Sequence, residues 1–82
     1  ELADDAWLLD GNLNLDDVKR RTGLEIESEA SDRLAGWFIE QTGSMPVLGE
    51  IVQGKGFKAM VRQMRKNRIL LILIELDQKA VT

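Results

Sequence analysis

Oxygen-bearing side chains at alternate positions of the segment DGNLNLD resemble the start of a calcium-binding loop. Such a loop requires glycine at its sixth position and glutamate at its twelfth, and this chain has Leu15 and Arg21 there. The segment therefore favours a turn that leads into a helix over a Ca²⁺ site, and we expect no metal ligands. The side chains in question are Asp10, Asn12, Asn14 and Asp16.

The chain contains neither histidine nor cysteine among its 82 residues. This absence removes the commonest general base, the thiolate nucleophile, thiolate metal sites and disulfides. Paired acids at residues 4–5 and 16–17 have no base or nucleophile set beside them in the sequence. We therefore expect a single domain over residues 1–82 that is not an enzyme. Because the chain begins at Glu1, we expect it to be part of a longer protein.

A run of basic residues in the second half of the chain is the feature that suggests nucleic-acid binding. Only Phe57 is interleaved with these bases, and it is predicted to be a core residue, so no stacking platform is evident. Gly54-Lys55-Gly56 indicates a hairpin turn, since it lacks the fuller phosphate-loop pattern. Nucleic-acid binding stays an alternative, and we expect no such partner. The bases are Lys55, Lys58, Arg62, Arg65, Lys66 and Arg68.

Turn and cap signals divide the chain into two helices and four strands. Asn14 is a plausible N-cap, and Gly23 follows the first helix where a left-handed residue is common. Ser31 or Asp32 is expected to cap the second helix, and Gly43 to end it. The acidic stretch 25–31 is predicted to be a solvated loop. The predicted strands are 6–10, 50–53, 57–65 and 68–76, and the predicted helices are about 15–22 and 32–42.

The last two strands can be paired by their sequence, with Lys66-Asn67 as the hairpin loop. Residues whose numbers sum to 133 then face each other, so Lys58 lies opposite Glu75 and Val61 opposite Ile72. Asn67 tolerates the left-handed conformation that such a loop needs. One apolar face of this hairpin is predicted to be the core under the helices. Its members are Phe57, Ala59, Val61, Leu70, Ile72, Ile74 and Leu76.

The same pairing places a second set of apolar side chains on the face away from the helices. We expect this face to be a docking surface, with Lys58, Arg62 and Glu75 as a polar rim. A two-fold homodimer is the simplest way to cover it. The alternative is that terminal residues fold back over it. The predicted interface residues are Met60, Met64, Ile69, Leu71 and Leu73.

The order of short motifs along the chain resembles the CorC/HlyC transporter-associated domain. The resemblance spans nearly the whole chain and implies an α+β fold, in the order β-α-α-β-β-β. Two helices then pack on one face of a mostly antiparallel four-stranded sheet, as in a subdomain of FAD-binding flavoproteins. The residues that carry it are Trp7, Asp10 and Gly11; Leu34, Ala35 and Gly36; Gly43, Pro46, Gly49 and Glu50; and Phe57, Arg68 and Ile69.

The resemblance also implies a context and a role. Members of this family follow a pair of CBS domains, often with a membrane region, on the cytoplasmic side of the membrane. They are linked with magnesium and cobalt efflux and with hemolysin-like proteins, and the domain is proposed to modulate transport. The expected partners are the CBS and membrane domains of the same protein. No cofactor is expected; binding of flavin or adenine nucleotide at residues 43–49 is an alternative that rests on fold analogy alone.

Overall fold

A computed structural model describes residues 5–29 and 31–77 of the chain. These residues form a four-stranded antiparallel sheet, with strand order β1-β4-β3-β2, and two helices. The predicted α+β class and the element order β-α-α-β-β-β are confirmed. The elements are β1 (Ala6–Asp10), α1 (Leu15–Thr22), α2 (Leu34–Thr42), β2 (Ile51–Gln53), β3 (Phe57–Arg65) and β4 (Arg68–Leu76).

Helix α1 begins and ends as its sequence predicts. The Asn14 side chain accepts a hydrogen bond of 2.8 Å from the Asp16 N–H, which satisfies one unpaired amide of the first turn. Gly23 is left-handed, with φ of 80°, and its N–H donates to the Lys19 carbonyl. Acids in the first turn and bases in the last turn complement the helix dipole.

Helix α2 begins two residues later than predicted, at Leu34, and has no side-chain cap. The Ser31 hydroxyl instead accepts a hydrogen bond from the Arg33 N–H. An antiparallel bridge between Asn14 and Arg33 holds the chain before the helix extended. The Leu34 N–H donates to the Leu13 carbonyl at 2.9 Å, so the first turn of α2 is satisfied by backbone from the β1–α1 connection.

The core lies between the helices and one face of the sheet. The rings of Trp37 and Phe38 in α2 pack edge to face, with 6.2 Å between their centroids. The Trp37 and Phe57 ring centroids are 5.5 Å apart. Ile26 is only 7% exposed and joins this core, so the prediction that residues 25–31 are wholly solvated is wrong. Ser28 ties the same loop to α2 through a hydrogen bond to Glu40.

The β3–β4 hairpin has the predicted register at both of its ends. Lys58 pairs with Glu75 and Val61 with Ile72, which confirms the 133 sum there. In between, Gln63 pairs with Leu71, and the ladder skips Arg62 on β3 and Leu70 on β4. This irregular stretch is called the bulge below.

The loop of this hairpin contains the left-handed residue at its first position. Lys66 has φ of 53°, and it is the only non-glycine residue with positive φ in 5–29 and 31–77. The expectation that Asn67 would take this role is wrong. A two-residue loop with positive φ only at the first position resembles the II′ type, which explains the shift.

Candidate functional site

The sheet presents a second face away from the helices, here called the open face. Strand alternation directs Leu8, Ile51, Met60 and Leu73 to this side, because their neighbours Trp7, Leu9, Val52, Ala59, Ile72 and Ile74 all pack in the core. The register aligns these side chains in one row across all four strands. From edge to edge the apolar row is Leu8, Leu73, Met60 and Ile51.

The apolar row is only partly covered within the chain. Leu8 is 38% exposed and Ile51 is 57% exposed, whereas Met60 and Leu73 in the middle of the sheet are half-buried. Leu71 is also half-buried on this side, opposite Asp10 of β1. A contiguous apolar row on a sheet face is typical of a surface that another element or another chain covers.

The bulge moves two of the predicted interface residues to the core. Ile69 is 6% exposed and belongs to the core cluster, and Met64, its cross-strand partner, packs against that cluster. Leu70, which the alternation placed in the core, is half-buried and outside the cluster. The physical reason is that each skipped residue reverses the inward and outward phase of its strand.

Three residues of the predicted surface therefore remain on the open face, and the structure adds two. Met60, Leu71 and Leu73 were predicted there, whereas Leu8 and Ile51 were not. Side chains alternate between the two faces along β1 and β2, and this alternation identifies Leu8 and Ile51. The β3–β4 hairpin alone does not contain this signal.

A polar row lies on the same face, two residues along the strands from the apolar row. Its members, from β1 to β2, are Ala6, Glu75, Lys58 and Gln53. Glu75 and Lys58 face each other across the two central strands. Among the described residues, ion pairs join Lys19 to Glu25 and Arg20 to Asp17, and none joins Lys58 to Glu75. Both rows line a shallow depression shared by Ile51, Lys58, Met60, Leu73 and Glu75.

The 43–49 loop has a left-handed glycine at each end and a hydrogen bond to β3. Gly43 and Gly49 are left-handed, with φ of 81° and 87°, so the predicted positive φ of Gly43 is confirmed. The Gly49 N–H donates to the Val61 carbonyl at 2.9 Å, and Pro46 is buried. The loop directs three apolar side chains to solvent. The exposed side chains are Met45 (43%), Val47 (66%) and Leu48 (64%).

Asp10 and Gly11 form the turn that ends β1, as predicted. The Asp10 carboxylate accepts a hydrogen bond of 2.8 Å from the Asn12 N–H. The oxygen atoms of Asp10 and Asn14 in the calcium-like segment thus accept from backbone amides of their own turns. In residues 5–29 and 31–77 no three acidic side chains are grouped closely enough to hold a metal ion.

Other polar surfaces are open and mostly exposed. A wide groove between the 26–32 loop and α2 carries the acids Asp16, Glu27, Glu29, Asp32 and Glu40. The bases Arg65, Lys66 and Arg68 surround the tip of the β3–β4 hairpin. No aromatic side chain lines that tip, so its geometry adds nothing to the nucleic-acid alternative. No helix in the described part of the chain has the length and apolar character that a membrane span requires.

Comparison with known families gives the chain its context. A family model described as the transporter associated domain, CorC_HlyC, matches residues 1–78. The chain belongs to the transporter-associated domain family. The resemblance inferred from the motifs is thereby confirmed over nearly the full length. A search of curated proteins finds no match to this chain.

Solved structures share the fold of this transporter-associated domain. One is described as a putative Mg²⁺ and Co²⁺ transporter (CorC) associated region from Neisseria meningitidis MC58, with 23% identity, a TM-score of 0.85, and 94% and 95% of the two chains covered. A transporter associated domain from a CBS domain protein of Porphyromonas gingivalis has 29% identity, a TM-score of 0.80 and 94% coverage of both chains.

A third similar structure was solved with metal ions. It is the CorC_HlyC domain of a Xylella fastidiosa Temecula1 hemolysin in complex with Mg²⁺ and Mn²⁺, with 23% identity, a TM-score of 0.78 and 89% coverage of both chains. At this identity the likeness supports the shared fold alone.

Proposed function

We propose that this chain is a non-enzymatic regulatory domain that modulates magnesium or cobalt transport by a longer, CBS-domain-containing protein at the cytoplasmic side of a membrane. The domain acts by contact with other protein surfaces and not by chemistry of its own. The observation that carries this proposal is the open face, where an apolar row crosses all four strands and stays partly exposed.

The family context supports the ion-transport part of the proposal. The similar structure from Neisseria meningitidis is described as a putative Mg²⁺ and Co²⁺ transporter associated region, and the one from Porphyromonas gingivalis comes from a CBS domain protein. The chain itself offers no His or Cys to bind or react with a transition metal, so an indirect role fits its composition better than a catalytic one.

The first experiment compares exposed aliphatic residues inside and outside the open face. Leu8→Glu and Ile51→Glu place a charge in the apolar row, whereas Leu48→Glu places the same charge on the 43–49 loop, at an exposure of 64% that is close to the 57% of Ile51. In cells that produce the full-length protein, we expect the first two variants to change the rate of Mg²⁺ or Co²⁺ efflux and Leu48→Glu to leave it unchanged, because only the first two disturb a docking surface.

Thermal melts of each variant domain establish that the change in transport does not come from unfolding. The proposal fails if removal of this chain from the full-length protein leaves efflux and its ion dependence unaltered. An effect of Leu48→Glu alone would instead point to the 43–49 loop, the segment that would bind a flavin or adenine nucleotide in the alternative function.

A further inference from the structure

The charges of the open face are arranged so that the face is complementary to itself. In the polar row, Glu75 lies on β4 and Lys58 lies opposite it on β3, and these are the two central strands of the sheet. We propose that the open face binds a second copy of this chain about a two-fold axis that runs parallel to the strands, between β3 and β4. This inference rests on the proposed function, since it names the partner of the same docking surface.

A rotation about this axis exchanges the strands in pairs, because the sheet order is β1-β4-β3-β2. It places β3 over β4 of the second copy and keeps each row at its own level along the strands. Lys58 of each copy then lies over Glu75 of the other, so two pairs of opposite charges form at once. In the apolar row, Met60 meets Leu73 and Leu8 meets Ile51.

A two-fold axis that runs across the strands, along the apolar row, would also bring the same faces together. That rotation reverses the strand direction and places the polar row over the row that contains Asp10 and Leu71. Glu75 would then lie over Leu71 and Lys58 over Gln63 of the second copy, so neither charge would face an opposite charge directly. Of these two axes, the charge pattern favours the one parallel to the strands.

The central charges are free to pair between copies. In the described chain no ion pair joins Lys58 to Glu75, although the two residues are direct cross-strand neighbours. Lys58 is exposed and Glu75 half-buried, so both side chains remain accessible from the open side. The face is only four strands wide, so we expect an assembly that depends on protein concentration.

Charge reversal tests the pairing between copies separately from the pairing within one chain. Lys58→Glu and Glu75→Lys each place like charges opposite each other in a dimer, and each should weaken self-association by about tenfold or more. In an equimolar mixture, the two variants are fully complementary across the interface while each chain keeps its own like-charged neighbours. Sedimentation velocity should therefore show the mixture dimerising more tightly than either variant alone.

Cysteine cross-linking tests the direction of the axis, because the natural chain has no cysteine. With the axis parallel to the strands, Ile51→Cys in one chain lies over Leu8→Cys in the other. The two Ile51 positions are then separated laterally by three strand spacings, about 14 Å. A short bis-maleimide should join Ile51→Cys to Leu8→Cys in a mixture and should join Ile51→Cys to itself much less.

Three results would overturn the proposal: a wild-type chain that stays monomeric at millimolar concentration, a mixture no tighter than its components, or equal self-linking of Ile51→Cys. A monomeric wild type would mean that terminal segments or another domain cover the face. Melting curves of the charge variants confirm that each is folded. If the dimer is absent but Leu8→Glu still alters ion efflux, this inference fails and the proposed regulatory function stands.

Discussion

Gly11 lies directly against the main chain of Ile69. A Cβ atom on Gly11 would fall 2.4 Å from the Ile69 carbonyl oxygen and 3.3 Å from the Cβ of Ala35. The Gly11 N–H also donates to the Leu70 carbonyl at 2.9 Å, while its own carbonyl accepts from the Ala35 N–H at 2.8 Å. One residue thus joins the end of β1, the bulged part of β4 and the start of α2.

Gly11→Ala should destabilise the domain by about 1–3 kcal/mol, since a methyl group at this point must displace backbone. Urea denaturation measured by circular dichroism gives the change in the free energy of unfolding. Gly11→Asn should be at least as destabilising as Gly11→Ala, because the obstacle here is space and not backbone conformation. An alanine variant as stable as the wild type would show that the contact relaxes freely.

Gly43 provides the opposite case, a glycine selected for its conformation. Its φ is 81°, and, apart from its chain neighbours, no described residue has an atom within 4 Å of the position where a Cβ would stand. Gly43→Ala should cost about 1 kcal/mol of unfolding free energy, as expected for alanine in a left-handed conformation. Gly43→Asn should cost less, because asparagine tolerates this region. Thermal melts of the two variants side by side provide the comparison, and equal losses would contradict it.

Asn14 is the side-chain cap of α1. Replacing it with alanine removes the acceptor for the Asp16 N–H and should lower stability by about 1 kcal/mol. Asn14→Asp retains the acceptor and adds a negative charge at the helix N-terminus, so its stability should stay close to that of the wild type. The bridge to Arg33 is made by backbone and is common to both variants, so it does not affect the difference. Equal stability of the alanine and aspartate variants would exclude a role for the cap.

Ile69 and Leu71 test the position of the bulge. Ile69→Ala should cost about 2–5 kcal/mol, because its side chain is 6% exposed within the core. Leu71→Ala should cost clearly less, since Leu71 is half-buried on the open face. Regular alternation along β4 would make the two positions equivalent, so similar losses in urea denaturation would argue against the bulge.

Local sequence signals were sufficient for most of the backbone. Asn14 and Gly23 mark the ends of α1, and Gly43 ends α2, because caps and left-handed glycines act through neighbours close in the chain. The pairing of Lys58 with Glu75 also followed from the sequence, since a short hairpin loop fixes the register.

The parts that sequence did not predict depend on contacts between distant residues. In ILLILI every position is apolar, so the pattern is the same whether or not a residue is skipped, and the inward direction of Ile69 could not be read from it. Ile26 lies in a non-periodic acidic stretch, yet it is buried in the core cluster. The late start of α2 reflects its bridge to Asn14, which lies nineteen positions earlier.

The first turn of α2 depends on backbone from the 11–13 turn for its hydrogen bonds. The amides of Leu34 and Ala35 are held by the carbonyls of Leu13 and Gly11 and not by a side chain of their own segment. The first turn of α2 therefore cannot keep its hydrogen bonds once the 11–13 turn moves, and that turn is continuous with the start of α1. In native-state hydrogen exchange, the starts of both helices should exchange together as one cooperative unit.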